Sequence, residues 1–340
     1  MKLSIIMPSH GIGTRINSNI LNVATMGSED VEVIVRDNSG DPAKREFLSR
    51  IQEPNCRIIS VDDCAGRENF MSLMEQASGE FIYFAADDDY TNGQAIGSLL
   101  SEIDRIGDDR TIVGVGGIFI MDDKTSSGFV HFNRLDKPKA SERFKSFLGS
   151  GLPSILQYSP IRRDVLKQVW DYSSRLPIYL SFHDWLMNCL FLVHGRVTYV
   201  ERYMYQYVNS NWDSHEHTLR NDANSYLGNG LDSSCARLHW LIGAFEGART
   251  FMDKYPYVDL PESERQAMAA CWFLHWYPTF VGNGLTRGVA DSQYDAQAMR
   301  LLAKWGSARE LRLDEILPDL VDHFSLSSRD TADRYYAFWR

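Results

Sequence analysis

At 340 residues the chain is longer than one hydrophobic core usually serves, so one large domain with an appended region, or two domains, is expected. Apolar residues make up 44% and support ordinary globular packing, while a formal net charge of −10 argues against a nucleic-acid-binding role, which needs basic surface to displace counterions from phosphates. Any anionic ligand must then be met by local basic groups or by a metal. The five cysteines (Cys56, Cys64, Cys189, Cys235 and Cys271) are odd in number, widely spaced and without a C-x-x-C pair, which fits a reducing, cytoplasmic compartment better than a disulfide framework.

The first apolar run ends at Pro8 after a single lysine and is too short to be expected to act as a signal peptide. From residue 1 to about 120, "LSIIMP", "VEVIVR", "CRIISV", "EFIYFA" and "TIVGVGGIFIM" predict strands. Between them, stretches around 15–26, 42–52, 67–78 and 94–106 predict helices, the second opened by Asp41-Pro42. Apolar strands joined by helical crossovers imply a doubly wound, mostly parallel α/β sheet covered on both faces. Ligands of such sheets sit outside the carboxyl ends of the strands. Strand direction alone therefore brings Pro8 to His10, Asp37, and Asp87, Asp88 and Asp89 to one edge.

Residues 125–150 predict a polar surface loop leading into a helix, with Arg134, Lys137, Lys139, Arg143 and Lys145 read as a solvated face. Arg162 and Arg163 predict the start of a solvated helix, with contact to an anionic acceptor as the alternative. After about 218 helical spacing dominates, with Trp240, Trp272, Trp276, Trp305 and Trp339 as packing anchors. The most apolar stretch, "AMAACWFLHWYPTFVGNG", is broken by His275 and Pro278 and predicts a buried helix, leaving peripheral membrane contact open. A homo-oligomer built through these helices is equally open.

Three adjacent carboxylates repel one another and cannot all be buried without a cation. A solvated turn would explain them, since turns favour Asp. A calcium loop fails on spacing, because neither frame supplies the ligands, the glycine at position six and the closing glutamate together. An aspartyl nucleophile has no other support in the chain. A divalent metal held by one or two carboxylates and completed by phosphate oxygens fits a strand end in a ligand crevice.

"LSIIMPSH", "VEVIVRDNSGD", "GRENFMSLMEQASGEFIYFAADDD" and "SFHDWL" stand in the order and spacing of glycosyltransferase family 2, which residues 1–217 resemble. The resemblance implies a GT-A fold, with a nucleotide half over about 1–120, an acceptor half over 121–217 and an appended helical region over 218–340. It implies an inverting hexosyltransferase-type enzyme that uses a UDP-sugar donor, a carbohydrate or glycoconjugate acceptor, and Mn2+ or Mg2+. It would work in the cytoplasm or at the inner face of the membrane. Carried over by position, Pro8, Ser9, His10 and Arg15 fall in nucleotide-sugar-binding segments, Asp37 accepts the uracil imide proton and Arg67 approaches the diphosphate. Asp87 and Asp88 touch ribose and metal, and Asp89 is a further metal candidate.

The departures are "PSHG" for the usual P-[ST]-[YF]-N and "DNSG" for D-D-G-S, and Ala86 stands where many members carry the first Asp of D-x-D. By its residues alone Asp184 is a helix cap or turn; the resemblance makes it the catalytic base, with His183 where glutamate is frequent. His215 and His217 are surface histidines on sequence alone, while the resemblance makes His215 a candidate third metal ligand. Two other classes stay open: a catalytically silent GT-A scaffold working through its helical region, and a sugar-phosphate nucleotidyltransferase, for which "SHGIGTR" is a poor glycine-rich loop.

Overall fold

The computed structural model describes the chain except at 63, 124–125, 133–134, 151–155, 209–214, 284–291 and 309–311, and the side chains of 121–123, 126–132, 215, 217 and 283 are left aside. The described residues fall into two compact units. The first comprises Met1–Pro138, Leu152–Trp170 and Leu190–Ser210; the second comprises Lys139–Gly151, Asp171–Cys189 and Asn211–Arg340.

The first unit alternates strands and helices as their apolar patterning predicts: β1 Leu3–Ser9, α1 Thr14–Ala24, β2 Val31–Asp37, α2 Pro42–Ser49, β3 Cys56–Ser60, α3 Gly66–Gln76, β4 Phe81–Phe84, α4 Ile96–Ile106 and β6 Ile112–Asp123, with the two-residue β5 Tyr90–Thr91, which the patterning does not predict, between β4 and α4. Local causes are plain at α2 and β1. Asp41 caps α2 by accepting from the Lys44 amide at 2.6 Å, and Pro42 occupies the first turn, where its missing N–H costs nothing. Leu3, Ile5, Ile6 and Met7 of β1 are fully buried, as a strand covered on both faces requires.

The sheet continues through β7 Ser126–Phe132, β8 Ile161–Arg162 and β9 Arg196–Val208. Its order is β3-β2-β1-β4-β8-β6-β9-β5, with β7 paired to β6. The first four strands are parallel, while β8 is antiparallel to its neighbours β4 and β6. Register fixes the ligand edge: Ser9 pairs with Asp37, and Ile6 with Phe84. The chain therefore leaves β1, β2 and β4 on the same side.

Two expectations are corrected in this unit. The stretch read as a surface loop contains β7, antiparallel to β6. Arg162 opens no solvated helix; it is 1% exposed. Its guanidinium donates to the carbonyls of Ile112, Gly107 and Asp109, pairs with Glu80 and lies 4.8 Å from the Phe81 ring centroid. Arg163 donates to the Ala77 carbonyl at 3.0 Å. Both arginines thus close backbone carbonyls of the sheet unit, work that leaves no sign in local sequence.

The second unit is helical: α5 Ala140–Gly149, α8 His215–Gly228, α9 His239–Arg249, α10 Glu262–Asn283, α11 Asp295–Gly306, α12 Leu313–Ser325 and α13 Arg329–Trp339, together with parts of α6 Arg163–Ser174 and α7 His183–His194. The division at residue 217 thus differs from the compact units. Segment 139–151 joins the helical unit because Phe144 meets Phe251 at 4.7 Å and Phe147 meets Trp185 at 5.7 Å between ring centroids. Arg143, expected on a solvated face, is 4% exposed. Arg134 and the side chains of His215 and His217 lie outside the described residues.

Trp272, Trp276, Trp305 and Trp339 are buried, and Trp240 stacks on Trp276 at 4.7 Å. The apolar stretch forms α10, with Pro278 inside it and Leu274 exposed. No helix among the described residues is long and apolar enough to cross a membrane. α9 approaches α10 closely at Gly247, where a Cβ would overlap the Trp272 indole, itself held by its Nε1–H donating to the Gly243 carbonyl at 2.7 Å. Gly247→Ala would gain about 1 kcal/mol in an exposed helix. Here the overlap decides the sign, and a loss of about 1–3 kcal/mol is expected, read as a lower urea midpoint.

Candidate active site

Three strand ends build the acidic edge of the first unit. Directly after β4, Asp87 is gripped through one oxygen: Oδ2 accepts from Ser9 Oγ at 2.6 Å, the His10 amide at 3.1 Å and the Gly11 amide at 3.0 Å. Among the described residues its Oδ1 takes no hydrogen bond. Gly11 permits this approach, because a Cβ there would stand 2.9 Å from Ile16 Cδ1 and 3.3 Å from Asp87 Oδ2. α1 holds the following backbone, with Asn19 Nδ2 donating to the Asp87 carbonyl at 3.0 Å and Arg15 Nη1 to the Asp88 carbonyl at 2.7 Å.

The three aspartates divide their work. Asp88 is half-buried, and desolvation followed by the neighbouring Asp87 charge raises its pKa. Asp89 is 3% exposed and both its oxygens are engaged, Oδ2 by Tyr205 Oη and Oδ1 by the Val208 amide, each at 2.7 Å. Burial pushes Asp89 up to about 7 in spite of those bonds. It braces the acidic turn against β9, and Tyr205 is itself stacked on Tyr158 at 4.5 Å. Asp88 is the carboxylate of the three that combines a raised pKa with partial exposure, the state in which a bound cation is most favourable.

Asp37 closes β2 at 1% exposure. Its Oδ1 accepts from Lys44 Nζ at 2.8 Å and the Ser39 amide at 3.2 Å, and its Oδ2 from Ser39 Oγ at 3.1 Å. A carboxylate offers about four acceptor positions, so one remains, on Oδ2 and beside a hydroxyl that can rotate. Pro8 is half-buried, and His10, Arg15 and Arg67 are exposed, with Arg67 in the first turn of α3. Pro8, Ser9, His10, Asp37, Asp87 and Asp88 therefore share one edge, as strand direction predicts.

Asp184 belongs to the second unit, in the first turn of α7. Tyr179 Oη donates to its Oδ1 at 3.3 Å, and Asn188 Nδ2 donates to its carbonyl. The preceding turn is tied down at three points. The Tyr179 backbone exchanges two hydrogen bonds with the Asn229 side chain, at 3.0 and 2.9 Å. Ser181 Oγ donates to buried Asp222 at 3.0 Å. His183, fully buried, accepts the Leu180 amide on Nδ1 at 2.9 Å, so its proton sits on Nε2 and is donated to Glu246 Oε2 at 2.8 Å. His183 therefore holds the turn from inside. Glu246 was not singled out by motif; its signal is a lone acid within the apolar run "WLIGAFEGA".

Among the described residues no group of three or more His, Cys, Asp and Glu is placed to hold a metal by itself. The carboxylate of Asp88 offers oxygen donors and suits a hard cation that takes its remaining ligands from phosphate and water.

Comparison with known proteins adds to this geometry. Residues 4–170 match the model of glycosyl transferase family 2, a span that includes the whole acidic edge and stops short of Asp184. The crystal structure of S. aureus TarS 1–349 is similar with a TM-score of 0.59 at 15% identity, covering 99% of this chain and 90% of that one. The same TarS 1–349 in complex with UDP-GlcNAc gives 0.58 at 15% identity, and in complex with UDP 0.51 at 17%, with the same coverage. No curated protein sequence matches significantly. The mixed sheet with its surrounding helices is a GT-A-type fold. Residues 4–170 belong to glycosyl transferase family 2, and the chain is a glycosyltransferase.

Proposed function

We propose that the chain transfers a sugar from a UDP-sugar to a hydroxyl of a carbohydrate or glycoconjugate with inversion at the anomeric carbon, and that it depends on Mn2+ or Mg2+. The observation that carries this is the acidic edge: Asp87, fixed through one oxygen by three donors, beside a half-buried Asp88 at the carboxyl ends of parallel strands. The TarS complexes, in which a similarly folded protein holds UDP-GlcNAc and UDP, support the choice of nucleotide.

Asp87 Oδ1 is assigned to the ribose, Asp37 to the uracil N3–H, and Arg15 and Arg67 to the anionic side of the donor. Asp88 would hold the metal, which supplies Lewis-acid neutralisation of the diphosphate when bound. Asp184 takes the proton from the acceptor hydroxyl as its oxygen bonds to the anomeric carbon; the bond from that carbon to the diphosphate oxygen breaks, and UDP leaves with the electron pair. One displacement gives inversion.

A thermal-shift panel of nucleotide sugars with and without manganese tests this reading. A ligand at about 100 times its dissociation constant adds roughly 2.7 kcal/mol of stability, so UDP-sugars with manganese should raise the melting temperature and GDP- or CMP-sugars should not. A larger shift with a GDP- or CMP-sugar would contradict it.

A further inference from the structure

Lys44 stands in the first turn of α2, and its side chain is 1% exposed. Each of its three ammonium hydrogens has an acceptor: Asp37 Oδ1 at 2.8 Å, Ser9 Oγ at 2.7 Å and the Gly11 carbonyl at 2.6 Å. A buried ammonium is tolerated only when paired and hydrogen-bonded, and this one is fully satisfied. It keeps no hydrogen for a ligand, so whatever it does passes through the groups it holds.

Two such groups lie on the donor edge. The Ser9 hydroxyl has a single hydrogen. Because its oxygen receives the Lys44 bond, that hydrogen is left for Asp87 Oδ2, 2.6 Å away. Together with the His10 and Gly11 amides it pins Oδ2 and leaves Oδ1 for a ligand. At the other end, the ammonium 2.8 Å from Asp37 Oδ1 shares that oxygen with the Ser39 amide and leaves the one open acceptor position of the carboxylate on Oδ2. An acceptor-only group matches the N3–H of uracil and opposes the N3 lone pair of cytosine, and an unmatched buried polar pair is the strongest source of discrimination between similar ligands.

We propose that Lys44 is a positioning and specificity-determining residue of the donor site, whose one buried ammonium sets Asp37 to select uracil and turns Ser9 onto Asp87. This rests on Asp37 and Asp87 meeting the base and the ribose.

The test is calorimetric titration of the full chain with UDP and with CDP in the presence of manganese, for the wild type, Lys44→Met and the double variant Asp37→Asn/Lys44→Met. Without its ammonium, Asp37 Oδ1 loses its buried partner and the carboxylate is no longer held with the open position of Oδ2 turned to the base. In Lys44→Met, UDP affinity should fall about tenfold or more and the preference for UDP over CDP should shrink by a similar factor. The double variant buries no charge, so it should melt closer to the wild type than Lys44→Met; its amide can pair with either base, so the lowered preference should persist. It carries the test should Lys44→Met not fold. Wild-type affinity and preference in Lys44→Met would make Lys44 a structural ion pair and overturn the inference, leaving the nucleotide assignment standing; the same result in the double variant would overturn the inference and remove Asp37 from the base contact as well. A wild type that binds no UDP would overturn that assignment and this inference with it.

Discussion

Asp184→Asn is expected to lose sugar transfer by about 10²–10⁴-fold with donor affinity unchanged, the contribution that general-base catalysis typically makes. The amide keeps the shape of the carboxylate. Its anchors are also kept, because Asn188 donates to the main-chain carbonyl of residue 184 and the turn before α7 is fixed by Asn229, Asp222 and Glu246 rather than by Asp184 itself. Only the capacity to take a proton is removed, so kcat should fall while KM for the donor stays. Transfer at a near wild-type rate would return Asp184 to a structural role in the first turn of α7. Loss of donor affinity together with activity would contradict its assignment to the acceptor.

Asp88→Asn is expected to lower transfer by about 10²–10³-fold and to remove the manganese dependence of UDP binding, since Lewis-acid neutralisation of a leaving diphosphate is worth several kcal/mol. The same change at Asp89 should act differently. Both Asp89 oxygens accept bonds from β9, so an amide there would present a donor to Tyr205 Oη or to the Val208 amide, and the cost should appear in stability before it appears in metal dependence. Metal titrations and urea melts of the two variants separate the roles. Equal and small effects of both on UDP binding would make the acidic run a solvated turn after all.

How much of this was legible in the sequence follows from the range of the interactions. The strands β1 to β4 and β6 carry their own apolar runs, and parallel direction alone places Ser9, Asp37 and Asp87 on one edge, as the pairing of Ser9 with Asp37 bears out. The short strands β5 and β8, of two residues each, carry no periodicity to detect. Arg162 reads as a solvated charge because its neighbours in sequence are polar, and Lys44 carries no motif at all; each is buried by partners from other strands and loops, the Gly107 and Ile112 carbonyls for Arg162 and Ser9 and Gly11 for Lys44. His183 stood out through its neighbour Asp184, but its meaning needed Glu246, 63 residues further along the chain. Local pattern thus announced which residues reach the edge, and tertiary contacts decided which of them carry charge there and which brace the others.

The proposed reaction consumes a UDP-sugar with the help of a divalent metal. It is tested most directly by following UDP release from a panel of UDP-hexoses, with manganese or with EDTA, in the wild type and in Asp88→Asn. At least one UDP-hexose should be consumed with manganese, with release suppressed by EDTA and by the substitution. Every UDP-hexose left intact while a GDP- or CMP-sugar is turned over, or release indifferent to EDTA, would contradict it.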